Sequence, residues 1–155
     1  MARIAKNLAD PSLLHMELRL AMTKASSADL RVNSKHELYP WFFAGDGWRS
    51  LLLDFVHLKL EQLNTPDSGT VRSAFRDLLG IPDITQSWGR QRMSASQAVD
   101  ALDEYLKHRH SVAHGILATQ PQFSKAYIDG YTNFLEKTVI KTDSRVDQRI
   151  SELQL

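Results

Sequence analysis

Cysteine is absent from this chain. That excludes disulfides, thiolate zinc sites and a cysteine nucleophile, and it fits an intracellular setting. Long apolar runs are missing as well. None approaches the roughly 18 residues that a membrane-spanning helix requires, and the N-terminal stretch lacks the apolar segment of a signal peptide. The expectation is a cytoplasmic chain with no membrane association. An excess of one charge is also lacking: 19 Lys and Arg stand against 18 Asp and Glu, a net +1. A globally basic nucleic-acid binder is thereby excluded, so any site for a polyanion must be a local patch. No stretch alternates at period two for long enough to suggest a sheet, and there is no repeat, low-complexity tract or linker.

What the chain does have is helical periodicity. Its 155 residues are 43% hydrophobic and 24% charged, the balance of one globular domain, 1–155, with a sizeable core. Asp10 as N-cap and Pro11 at the first helical position predict a helix over 11–25. The polar stretch 26–37 reads as a short helix or a loop. The run 38–47, with Pro40, Gly45 and Gly47 among aromatics, reads as a turn. A helix over 48–63 carries an apolar arc wider than half its circumference, which marks either a central core helix or an oligomer interface. A third helix is expected over 70–79, stopped by Gly80 and Pro82. The segment 83–93 reads as a loop bearing Trp88, Arg90 and Arg92. Ser94 to Gln97 resembles a capping box. It opens an amphipathic helix through Ile116, followed by one over 122–140 with Phe123, Tyr127, Phe134, Leu135 and Val139 inward. A short last helix is expected from 143, carrying Val146, Ile150 and Leu153. The fold class is all-α.

The most informative run is Arg109-His110-Ser111-Val112-Ala113-His114-Gly115. On a helix, Leu102, Tyr105, Leu106, Val112, Ala113 and Ile116 form one apolar stripe, and Arg109 falls in its middle. A permanent charge there must find a partner or line a wet cleft. His110 and His114, one turn apart, flank it and make the site titratable near neutrality. The bare spacing also occurs at Arg31 and His36, but those lie in a polar stretch without clear periodicity.

The run at 109–115 resembles the signature of the HEPN superfamily: an Arg, a polar residue, a few further residues, then a His commonly followed by Gly. The resemblance implies a dimeric helical bundle in which Arg and His of both protomers line one cleft. It implies a metal-independent ribonuclease, with toxin or phage-defence roles and a cognate antitoxin or regulator among the family's settings. Other members are inactive dimerisation or binding modules. Carried over by position, the catalytic residues are Arg109, His110 and His114. His suits a general acid or base, and Arg presents a charged planar fork to phosphate. Arg72, Arg76, Arg90, Arg92 and Lys107 are the first candidates for RNA phosphate contacts. No cofactor and no metal are expected.

Blander readings compete. Arg109 can be a structural arginine paired with Asp54 or Glu61 in an unrelated helical interaction domain. His110 and His114 have the spacing of a metal pair, though without a companion glutamate motif. His15, His36, His57 and His108 are assigned no role. Trp41, Phe42, Phe43 and Trp48 suit the core or a dimer interface, with base stacking as the alternative. Small Ala113 and Gly115 beside His114 suggest that other backbone comes close there. On an ideal helix Arg109 and His114 lie about 140° apart, so either the long Arg109 side chain reaches around the helix or a partner protomer supplies the Arg; a dimeric site removes the difficulty.

Overall fold

The computed structural model describes residues 10–32, 45–61, 66–115 and 124–153. Among them are five α-helices and two 3-10 segments, and no strand beyond an isolated bridge between Arg90 and Met93. The chain is all-α. None of the described helices is long and apolar enough to cross a membrane. The sequence-based expectations at 33–44, 62–65 and 116–123, including His36, Trp41, Phe42, Phe43, Leu63, Ile116 and Phe123, fall outside the described residues.

The first expected helix is divided. Asp10 does cap it, accepting from the Ser12 amide at 2.7 Å, but only a 3-10 turn, Pro11–Leu13, follows. Leu14 is extended at φ −67°, ψ 140°. This turns its side chain into the core beside Leu18. Helix α1, Met16–Val32, then starts afresh and runs well past Ala25. The polar residues after Ala25 continue it. Ser26 and Ser27 donate back to the Met22 and Thr23 carbonyls, so their hydroxyls are satisfied within the helix.

Helix α2 spans Gly47–Glu61. Its wide apolar arc splits in two. Trp48, Leu52 and Val56, four apart, are buried, whereas Leu53, Leu58 and Leu60 stay exposed. Helix α3, Ser68–Leu79, begins earlier than the apolar pattern shows because Asp67 caps the Thr70 amide at 2.6 Å. Gly80 ends it at φ 64°, where a β-carbon would meet the His15 ring at 3.2 Å.

The segment after α3 is a correction to the loop reading. Ile84–Trp88 forms a 3-10 helix whose Ile84, Thr85 and Trp88 are buried. Five residues are too few for periodicity to reveal, and their burial depends on the helices packed around them. The capping box forms as expected: Ser94 Oγ accepts from Gln97 N at 3.1 Å, and Gln97 Oε1 from Ser94 N at 2.8 Å. It starts α4, Ala95–Ala113.

The two expected C-terminal helices are one. Helix α5, Lys125–Leu153, has 29 residues, about 43 Å of axis. Thr138 and Thr142 donate to the carbonyls of Phe134 and Thr138 at 2.9 Å each, and Trp88 Nε1 donates to Thr142 Oγ1 at 2.9 Å. The polar residues that suggested a break are thus absorbed. Val139, expected inward, is 64% exposed; the buried face runs through Phe134, Thr138 and Ile150.

Two cores result. One joins α1, α2 and α3 to Ile150; the other gathers Trp88, Ala98, Leu102 and Phe134 under α4. Helix α5 reaches both. Asp103 of α4 ties the second core to α3, accepting from Ser68 N at 2.9 Å and Ser68 Oγ at 2.6 Å.

Candidate active site at the end of helix α4

The apolar stripe of α4 climbs out of the core. Leu102 is buried, Tyr105 and Leu106 are half-buried, and Arg109, Val112 and Ala113 are exposed. The charge of Arg109 is therefore not carried into the interior. Among the described residues no carboxylate pairs with it, and Glu61 is engaged with His57 at 3.1 Å. The structural ion pair with Asp54 or Glu61 does not form. Arg109 instead lines a shallow depression of about 280 Å³ with Tyr105, Val112 and Ala113.

His110 and His114 come together. Their ring centres lie 4.2 Å apart with planes tilted by 52°, and both residues are exposed. The helix end sets this geometry. The His114 amide donates to the His110 carbonyl at 3.1 Å, and Gly115 turns the chain at φ 67°. Gly115 serves here as a helix terminator. Among the described residues nothing lies within 4 Å of where its β-carbon would stand, so the expected close approach of other backbone is not made by any of them.

The end of α4 thus presents two faces. The imidazole pair sits on one flank, and Arg109 opens onto the depression, which neither histidine lines. The pair offers two imidazole rings side by side. Arg109 offers a guanidinium free of ionic partners among the described residues. No group of three His, Cys, Asp or Glu side chains among the described residues comes together to hold a metal.

The other cations expected to meet phosphate are dispersed. Arg72 Nε lies 3.2 Å from Asp83 Oδ1, within ion-pair reach but without a hydrogen bond. Arg76 pairs with Asp77 at 3.1 Å on the surface. Arg90 lies over the Phe134 ring, 5.1 Å from its centre, with Nη1 buried and without a hydrogen-bond partner among the described residues. Arg92 is exposed at φ 72°, and Lys107 is exposed on α4. Arg72 and Arg90 are used inside the fold, which leaves Arg76, Arg92 and Lys107 facing solvent. Trp48 fills the core. His15 bonds the Asp77 carbonyl at 2.9 Å, a structural clasp.

The tyrosines beside the motif carry no signal of function in the sequence pattern. His108 Nδ1 and the Tyr127 hydroxyl are hydrogen-bonded at 2.9 Å, and Tyr105 packs on Tyr131. Burial, reinforced by Tyr105, pushes the Tyr131 phenol up to about 12, against the pull of Arg109. The four-residue spacing of Tyr127 and Tyr131 marks a common helix face, but which helix that face meets is not written in either segment.

The sequence matches no protein-family model. No curated protein matches it, and no solved structure does.

Proposed function

We propose that this chain is a HEPN-type endoribonuclease that works as a homodimer and needs no metal. The observation that carries the reading is the pairing of His110 with His114 at 4.2 Å on an exposed helix end, next to an arginine without an ionic partner among the described residues. In this reading one imidazole takes the proton from the RNA 2′-OH. The freed oxygen attacks phosphorus and the P–O5′ bond breaks. The second imidazole protonates the departing 5′-oxygen, leaving a 2′,3′-cyclic phosphate and a 5′-hydroxyl. Arg109 holds the phosphate oxygens as charge builds in the transition state. His114 is the first candidate for the base, with His110 as acid or orienting donor.

Because Arg109 and the imidazole pair lie on different flanks of α4, the partner's copy of one group completes the site. Exposed apolar side chains away from that depression support association: Leu53, Leu58 and Leu60 on α2 are uncovered. A twofold packing of α4 on its copy brings the partner's Arg109 toward the histidines. A cytoplasmic toxin or defence effector held by an antitoxin follows from the HEPN resemblance alone.

The separation of Arg109 from His114 within one protomer also favours a second reading, a non-catalytic HEPN module that dimerises or regulates a larger system. Incubation with labelled RNA in EDTA, wild type against His114→Ala, decides between them. Cleavage that needs His114 supports the enzyme; intact RNA with both proteins supports the module.

A further inference from the structure

Three tyrosines from two helices meet beside Arg109. Tyr105 of α4 lies ring to ring with Tyr131 of α5, centres 3.2 Å apart and planes 6° from parallel. Tyr127, one turn earlier on α5, lies 6.3 Å from Tyr105 at 20°. Phe134 follows Tyr131 at 5.9 Å. The ring contacts run from buried Phe134 through Tyr131 and Tyr105 to Tyr127, and Tyr105 is also a wall of the depression of about 280 Å³. Its remaining walls, Arg109, Val112 and Ala113, are exposed.

These walls specify a ligand. A ring held in place by a neighbouring ring is a rigid aromatic wall, so little side-chain entropy is lost when a flat group packs against it. Val112 and Ala113 add small apolar contacts. The guanidinium adds one positive charge at the rim, uncancelled by any carboxylate among the described residues. The volume sits near the lower end of small-molecule pockets, about 300 Å³, which suits one planar ring carrying an anionic group. Tyr131 stays a neutral phenol well beyond neutral pH, so no phenolate opposes that anion. The carboxylate acting on the row, Glu104, is felt at Tyr127 rather than at Tyr131, which feels Arg109.

We propose that the Tyr105–Arg109 depression is a nucleobase seat: one unpaired base of a single-stranded RNA lies against Tyr105 while its phosphate meets Arg109. The inference rests on the RNA-cleaving reading above and names its substrate class. Stacking of this kind tolerates any base, because every base has a π-face. It discriminates against A-form duplex, whose bases are already stacked.

The test uses the full chain and strands that cannot be cleaved because they lack the 2′-OH: labelled hexadeoxyuridylate and an abasic hexamer with the same phosphates. Wild type should bind the base-bearing strand on the order of tenfold or more tighter than the abasic one. Tyr105→Phe should keep that preference and Tyr105→Leu should erase it. Ala113→Trp, which fills the depression from an exposed position without disturbing the ring row, should erase it too; this covers the case in which Tyr105→Leu loses helicity. Equal binding of the two strands, binding of neither, or a preference that survives Ala113→Trp overturns the seat. Cleavage of labelled RNA by the same wild-type preparation separates the two ideas. Cleavage without a base preference overturns the seat alone, and a Tyr105-dependent preference without cleavage overturns the ribonuclease alone.

Discussion

Trp88 donates its indole N–H to Thr142 Oγ1 at 2.9 Å, across 54 residues of sequence. This bond fastens the buried 3-10 helix to α5, close to where one helix was expected to end and the next to begin. Thr142→Val keeps the shape of the side chain but leaves a buried indole N–H without an acceptor. That should cost about 1–3 kcal/mol, read as a lower urea midpoint with an unchanged slope. Thr142→Ser should recover most of the loss. A wild-type midpoint in Thr142→Val would mean that water or another group satisfies the indole.

Asp67 gives the fold a signature in acid. Its bond to the Thr70 amide, the largest cause, holds its carboxyl below the ordinary value of 3.8. The unfolded chain therefore takes up this proton more readily than the folded one. The stabilisation is complete above the unfolded value, about pH 4, and is lost as pH falls through the lower folded value. Asp67→Asn should keep much of the cap while removing the titration, so its acid limb should be flatter when helicity is followed by circular dichroism. An acid limb as steep as wild type would place the titration elsewhere.

Cleavage, if the proposed chemistry is right, should persist in EDTA and leave cyclic phosphate ends. His114→Ala and Arg109→Ala should each reduce it by about 10²–10⁴-fold, the usual contribution of general acid–base or charge-stabilising groups. His110→Ala should be milder if it orients rather than transfers a proton. Arg31→Ala and His36→Ala, which share the bare spacing, should retain activity. Loss at Arg31 and His36 with retention at 109 and 114 would move the site. Activity abolished by EDTA and restored by Mg²⁺ or Mn²⁺ would replace the mechanism.

A dimeric site makes a complementation prediction. Arg109→Ala and His114→Ala, each inactive alone, should recover about a quarter of wild-type activity when mixed and allowed to exchange. Half of the dimers are then mixed, and each carries one site with both groups intact. No recovery, with exchange shown by a mass-tagged partner, would place both groups on one protomer. Sedimentation as a monomer at tens of micromolar, an order-of-magnitude working range, would count against any shared site.

Local signals are legible in the sequence wherever a few neighbouring residues decide the structure. Ser94 and Gln97 write the start of α4, Gly80 writes the end of α3, and Asp10 writes a helical turn, because caps depend on the backbone within a few residues. The all-α class follows from periodicity, and the run from Arg109 to Gly115 stands out as a candidate site through residue types and spacing alone. Packing between distant segments is not legible in this way. Whether Ser26 or Thr142 ends a helix or bonds back into it depends on what covers it. Whether 84–88 is a loop or a buried 3-10 helix depends on α4 and α5 closing over Trp88.

The candidate site divides along the same line. Sequence places His110 and His114 one turn apart, and the end of α4, with His114 as its C-cap, brings their rings together. It also places Arg109 on the apolar stripe, but the stripe's meaning is decided by where the core stops. Packing partners cover α4 as far as Leu102, half-cover Tyr105 and Leu106, and leave Arg109 in solvent. The tyrosine row beside it exists only because α5 crosses α4 there. A chain specifies its turns by local hydrogen bonding, whereas it specifies a cleft by which faces of remote helices have no one left to pack against.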